Sequence, residues 1–456
     1  MSKLNKKQKL WLGLGIPLGT VITTGIVVSL VFMSIKNVFN NSCKYLGQAK
    51  DASYIDYNFR SDEKFQNYVD EVNLFSAKFT ADYLNLFDDQ KKNIAISPIS
   101  LYSALSMAAE SSKGNTQSEI LTALGSSLEN IEKYADSLYS LMNEEFTNGG
   151  LLKDHKVGEC DLSNSIWIQN NIDVNQSTLN VLTDNFHADV FKANFAKRPK
   201  RVGEFVSHYV KDKTHNLIDK KYDFDSSTLL VLLNTLYLKD TWNVYGTNLN
   251  KSDLVSSFIN RNGNVVDKDF YVTKYFSGKT SEEESFKYFD ADTDHGVCLT
   301  FIVPNDGVDI GSLMNKENVD KVLSLRGEYL IRDDIKREEY HTRVHFPEFH
   351  ASSSSELSNF LKSSFGISSM FSEEADFSKL IPNGAVYVSS VDHTVELSVD
   401  KKGIEGAAAT AIIGVGAAGP GEYEQVYEDF IVNKSFGFVV SLNYSIPLFS
   451  GIVNYI

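Results

Sequence analysis

Apolar positions along this chain follow two periodicities, and the two are segregated. From Asn73 to Asp88 they recur at helical spacing through Leu74, Phe75, Phe79, Tyr83 and Leu86. After Pro98 the same spacing returns through Leu101, Leu105, Ala108 and Ala109. Pro98 suits the first helical position, where its missing N–H costs nothing. Helical patterns continue over 117–124, 131–142 and 202–218. Short apolar runs of strand character occupy 165–168, 229–238, 297–303, 343–346, 385–391, 394–399, 436–442 and 448–452. Helices early and strands late predict an α+β domain with largely antiparallel sheets. No internal repeat and no second domain boundary appears after residue 70.

The N-terminus carries a different pattern. Lys3, Lys6, Lys7 and Lys9 precede an uncharged span from Leu10 to Ile35, closed by Lys36. A helix of roughly 20 apolar residues crosses a bilayer, so the span is long enough. More lysines before it than after it favour a cytoplasmic N-terminus and an exported remainder. Gly13, Gly15, Pro17 and Gly19 lower helicity but are tolerated in membrane helices. The expected organisation is a basic stub at 1–9, an anchor at 10–35, a polar tether at 36–70 and one domain over 71–456. Two other routes of export stay open: a cleaved signal, and a lipid on Cys43, although Asn40-Asn41-Ser42-Cys43 is a poor attachment sequence.

Composition mainly excludes. A net charge of −15 argues against nucleic acid as a partner, because phosphate binding needs clustered Lys and Arg. Cys43, Cys160 and Cys298 form no Cys-x-x-Cys pair, and Cys298 lies in an apolar run that reads as a buried free thiol. Gly414-Val415-Gly416-Ala417-Ala418-Gly419 is a literal G-x-G-x-x-G, but Pro420-Gly421 follows where a dinucleotide site needs a helix. The histidines, His345 and His350 included, lack metal-ligand spacing and read as structural. No cofactor or metal is expected.

One stretch stands apart: Gly403-Ile404-Glu405-Gly406-Ala407-Ala408-Ala409-Thr410. Its even positions, continued by Ile412 and Gly414, are uncharged, and its one acid is odd. Alternate strand residues face opposite sides. Were this segment to become a strand, Ile404, Gly406, Ala408 and Thr410 could face a core and Glu405 the solvent. A flexible linker has no need of that parity, whereas a loop that inserts into a sheet does.

From Asn73 to Ile456 a series of motifs resembles the serpins. Asn93-Ile94-Ala95-Ile96-Ser97-Pro98-Ile99-Ser100 is similar to the family's N-x-x-x-S-P-x-S helix start, and Lys113-Gly114-Asn115-Thr116 to its K-G-N-T segment. Leu233-Asn234-Thr235-Leu236-Tyr237-Leu238-Lys239-Asp240-Thr241-Trp242 resembles its V-N-A-x-Y-F-K-G-x-W strand. Asp376-Phe377-Ser378, Val391-Asp392-His393, and Phe430, Phe436 and Leu448 to Asn454 follow in the family's order. Tyr209 stands where the family commonly has Trp, and Ser435 where it has Pro.

The resemblance implies a serpin fold: N-terminal helices, a large mostly antiparallel central sheet, further sheets, and an exposed reactive loop at about 403–424. It implies no enzyme but a suicide inhibitor of serine proteases acting as a monomer, which the apolar span at 10–35 would hold at the outer face of a membrane. A protease cuts the loop, and the freed segment enters the sheet while the acyl-enzyme is trapped. Counting from Gly403 in the family's register puts the scissile bond at Ala417–Ala418, with a span of 413–419 open because the loop is long. Small residues there suit an elastase-like or subtilisin-like serine protease, and a papain-like cysteine protease is a further candidate. By position, Ser97, Ser100, Asn234 and His393 match the cluster that governs sheet opening. Lys401 and Glu348 stand where the family has the opposite signs, and are expected to pair. The competing reading is a non-inhibitory protein on the same scaffold: a binding module, adhesin or chaperone.

Overall fold

The computed structural model describes residues 42–51, 62–148, 155–242, 248–273, 280–282, 285–293, 295–324, 340–384, 386–405, 426–442 and 446–456. In chain order β1 (Cys43–Gly47), α1 (Glu63–Phe87), β2 (Ile94–Ile96), α2 (Pro98–Ser111), α3 (Gly114–Leu124) and α4 (Leu128–Leu141) come first. Then follow β3 (Asn143–Asn148), β4 (His155–Gln169), α5 (Gln176–Asp184), β5 (Ala188–Ala193), α6 (Pro199–Lys213) and β6 (Leu230–Thr241). Short strands β7 (Asn250–Lys251), β8 (Ser257–Ile259), β9 (Val265–Asp267), β10 (Phe270–Val272) and β11 (Thr280–Glu282) lead to β12 (Phe286–Asp292) and β13 (Val297–Pro304). Helices α7 (Ile310–Leu313) and α8 (Lys316–Ser324) precede β14 (Tyr340–Pro347), β15 (Phe349–Glu356) and α9 (Ser358–Phe365). The chain ends with β16 (Asp392–Val399), β17 (Gly403–Glu405), β18 (Val426–Ile431), β19 (Phe436–Leu442) and β20 (Ile446–Val453).

Three sheets carry the architecture. The largest runs β1-β5-β4-β6-β17-β16-β15, with β3 paired to the upper half of β4. The second orders β18-β14-β10-β7 and the third β11-β12-β13-β19-β20-β2. Most pairs are antiparallel; β4–β5 and β14–β18 are parallel. Strands β13, β19 and β20 are buried along their whole length, which is why they read as continuous apolar runs. Helix α2 is buried nearly all round and packs on both β6 and β20. Helix α6 lies on the large sheet through Val202, Val206 and Tyr209, which meet Trp167 and Phe191. Those two rings stack at 4.0 Å.

The predicted α+β class and sheet character hold, with three differences. The first helix begins at Glu63 rather than Asn73, capped by Asp62 accepting from Lys64 N, because Phe65, Tyr68, Val69 and Val72 are already core residues. Residues 386–391 form no strand: Val386 and Val388 are buried, but Val388 N donates to Met370 O in an irregular segment. Part of the expected tether packs on the domain, since β1 pairs with the free edge of β5. Cys43 is 1% exposed there and burial pushes its thiol up to about 12. A lipid on that sulfur has no space, so lipid anchoring at Cys43 is set aside. The span 10–35 lies outside the described residues, among which no helix is long and apolar enough to cross a membrane.

Candidate functional site

The segment singled out by parity begins inside the large sheet. A tight turn brings it there: Asp400 Oδ1 accepts from Lys402 N at 2.7 Å and Gly403 N at 3.2 Å, and Asp400 N donates to Gly403 O. The turn is held from outside by Trp242, whose indole donates to Asp400 O at 2.6 Å and whose N–H donates to Lys402 O. Leu249 N donates to Lys401 O.

From this turn β17 runs between β6 and β16. Gly403, Ile404 and Glu405 face Thr241, Asp240 and Lys239 on one side; Ile404 and Glu405 face Val399 and Ser398 on the other. Ile404 is fully buried, and Glu405 turns outward to Lys239 Nζ at 2.9 Å. The first two positions therefore follow the predicted parity. A Cβ added at Gly403 would stand 2.0 Å from the Asp240 carbonyl oxygen, so only glycine lets the strands approach this closely. Strands β6 and β16 pair with β17 and not with each other, so two strand spacings, about 9.5 Å, separate them. Gly406 to Thr410, and Ala417–Ala418, lie outside the described residues.

Of the four residues expected to govern the sheet, three meet and one does not. His393 Nε2 accepts from Ser97 N at 3.1 Å, Ser97 Oγ lies 2.9 Å from Ser100 Oγ, and it donates to Leu448 O. Asn234 instead donates to Asn164 Oδ1 at 2.7 Å, and its own buried Oδ1 has no partner among the described residues. The His393 ring is enclosed by Phe79 and Tyr83. Burial, and then the charge of Lys220, pull it down to about 4, so it is neutral at physiological pH. At the head of the sheet Lys401 Nζ stands 3.7 Å from Glu348 Oε1, and the Lys401 ammonium also lies over the Tyr271 ring at 5.3 Å.

Two charged clusters went unread in the sequence. Beneath the hinge Asp240 is fully buried and accepts from Thr293 Oγ1 and His295 N, while its Oδ1 lies 2.7 Å from His295 Nδ1. An acid at the end of an apolar strand was the available signal. Between β14 and β18, Asp429 takes two bonds from Arg343, at 2.7 and 2.8 Å, and lies 2.9 Å from His345 Nε2. Arg343 first, then His345, hold the Asp429 carboxyl below its usual range. His345 Nδ1 in turn meets Ser252 Oγ at 2.7 Å. The order Ser, His, Asp imitates a hydrolase relay, but Ser252 is buried and its oxygen already accepts from Leu254 N. This cluster ties an edge strand down.

A family model described as serpin (serine protease inhibitor) matches residues 75–456. The chain belongs to the serpins. Intracellular coagulation inhibitor 2 of Tachypleus tridentatus is 26% identical over 365 residues, covering 78% of this chain and 84% of the relative. Among solved structures, the serpin tengpin in its native state superposes with a TM-score of 0.69 at 23% identity, covering 91% of this chain and all of that one. Thyroxine-binding globulin in complex with thyroxine gives 0.65 at 20% identity, covering 85% and 98%. Both likenesses speak to fold. Serpins are protease inhibitors rather than enzymes, and the Tachypleus relative is named as a coagulation inhibitor. Strand β17 holds the first residues of the segment expected to be the reactive loop's hinge, and β18 is the next described strand after it.

Proposed function

We propose that this serpin is a suicide inhibitor of serine proteases, tethered to the outer face of a membrane through residues 10–35. The observation that carries the reading is β17, three hinge residues aligned as the first rungs of a strand between β6 and β16. Continuing their register five residues beyond Glu405 brings Thr410 between Asn234 and His393, so the buried Asn234 oxygen would face the arriving backbone. Gly406 to Ala409 are small enough to pass on the way. Strand β6 is 12 residues long, and at ~3.3 Å each its full length would draw an attached protease about 40 Å.

The tether follows from the charge-flanked apolar span, and the target class from the small residues around Ala417. Since the same scaffold also serves a thyroxine-binding globulin, a non-inhibitory binding module is the reading to be beaten. Full-length protein in detergent, mixed with elastase or subtilisin, should give a band of summed mass on denaturing gels. Thr410→Arg should abolish that band while leaving loop cleavage intact, because a buried unpaired charge blocks insertion. Quantitative nicking near Ala417 with full protease activity, in the unmutated protein, would overturn inhibition.

A further inference from the structure

The pole of the domain that meets the tether carries an isolated basic cluster. Lys197, Arg198, Lys200 and Arg201 fall within five residues at the start of α6, all exposed, in a chain of net charge −15. Arg201 pairs with Glu204 at 2.8 Å; no carboxylate pairs with Lys197, Arg198 or Lys200 among the described residues. Exposed Lys44 on β1 adds to them, while Asp173, Asp223 and Asp225 are the acids of the neighbouring segments.

Register fixes where this cluster stands. Cys43 pairs with Ala193 at the end of β5, and Ala193 with Gln169 at the end of β4. Ile168 pairs with Leu230, the first residue of β6. Asn194 N donates to Ser42 O at 2.8 Å, and Asn194 O accepts from Arg198 N at 2.9 Å, so one asparagine joins the tether's exit to the basic turn. Gly403 pairs with the opposite end of β6, Thr241. Tether exit and hinge thus lie at opposite poles of the sheet. Six residues, 36–41, separate the apolar span from Ser42, a reach of at most about 25 Å.

We propose that Lys197, Arg198, Lys200 and Arg201 dock this pole on the anionic phosphate headgroups of the bilayer that holds residues 10–35. The proposal rests on the tethered reading above. An acidic domain is repelled by an anionic surface except at its basic pole, so it can settle in one orientation only. The hinge then points away from the membrane, toward soluble proteases. Loop insertion carries a captured protease the other way, down to the lipid.

The test uses the full chain in nanodiscs of phosphatidylcholine alone, or of phosphatidylcholine and phosphatidylglycerol in equal parts. An amine-reactive ester labels surface lysines, and mass spectrometry reads each rate. Lys197 and Lys200 should react about fivefold more slowly in the anionic discs, with Lys402 at the far pole unchanged. High salt, or Arg198→Glu with Arg201→Glu, should remove the difference. Equal rates in both discs, with the chain still embedded, would overturn docking alone. Release of the chain by alkaline carbonate would overturn the anchor and docking together, while the covalent band with elastase scores inhibition independently.

Discussion

At the residue scale His393 is the side chain whose chemistry is most constrained. Its ring accepts a bond from Ser97 N, which requires the neutral form, and burial enforces it. The native value near 4 lies below the 6.5 of an exposed histidine, so the unfolded chain binds the proton first. Stability from this site is therefore complete above pH 6.5 and falls as pH descends toward 4, by about 3 kcal/mol in all. His393→Gln keeps an acceptor for Ser97 N and removes the titration. Urea midpoints of the two proteins, measured from pH 7 to pH 4, should converge or cross as the wild type loses its advantage. A gap constant with pH would mean that the ring is not held neutral. Ile404 shows a simpler economy at this scale: an apolar side chain at the first inserted position already sits in the core, and Gly403 before it has no room for a side chain.

At the element scale β18 is the strand on which the loop's fate turns. Among the described residues it lies at the edge of its sheet and pairs only with β14, and Asp429 with Arg343 and His345 adds to the six-residue ladder that holds it there. An uncut loop can insert fully only if its far end follows, which means pulling β18 off β14. Asp429→Ala should therefore shorten the half-life of the active form at 37 °C by about tenfold, which corresponds to a barrier lower by roughly 1.4 kcal/mol. Residual activity followed over days, with unchanged initial activity, checks this. The elements also show what the sequence could tell. Strands β13 and β19 were legible because burial on both faces leaves an apolar run, and the facing of Ile404 and Glu405 in β17 because a single acid reports parity. Strand β15 was hidden: Phe-His-Ala-Ser-Ser-Ser-Ser-Glu reads as a loop, yet Ser353 Oγ donates to Ala95 O and Ser355 meets Tyr83 Oη, so small hydroxyls satisfy the layer beneath. Strand β1 was hidden too, because its buried positions are fixed by a distant edge that local spacing does not announce. Asp240 and Asp429 were missed for the same reason, since their partners lie tens of residues away in sequence.

At the scale of the whole molecule, the proposed inhibitory reading requires a metastable fold, and the large sheet would supply it without any appeal to a weak core. At the hinge end β17 pairs with three residues of β6 and two of β16, and among the described residues the remaining length of each strand is paired with β4 or β15 on one side. Filling the rest would add roughly ten backbone hydrogen bonds, each worth about 1 kcal/mol net, and would bury the uncharged face of the loop. The intact chain cannot collect that energy freely, because its loop is tied at Glu405 on one side and at Val426 on the other. Cutting the loop removes the second tie. For a domain of this size, ~10 kcal/mol corresponds to a rise in melting temperature on the order of 10 °C. Calorimetry of the protein before and after loop cleavage by a catalytic amount of elastase should show that rise, together with resistance to urea. If the cut form melted at or below the intact one, the sheet would have gained nothing, and a protease bound to the loop would have no force acting on it.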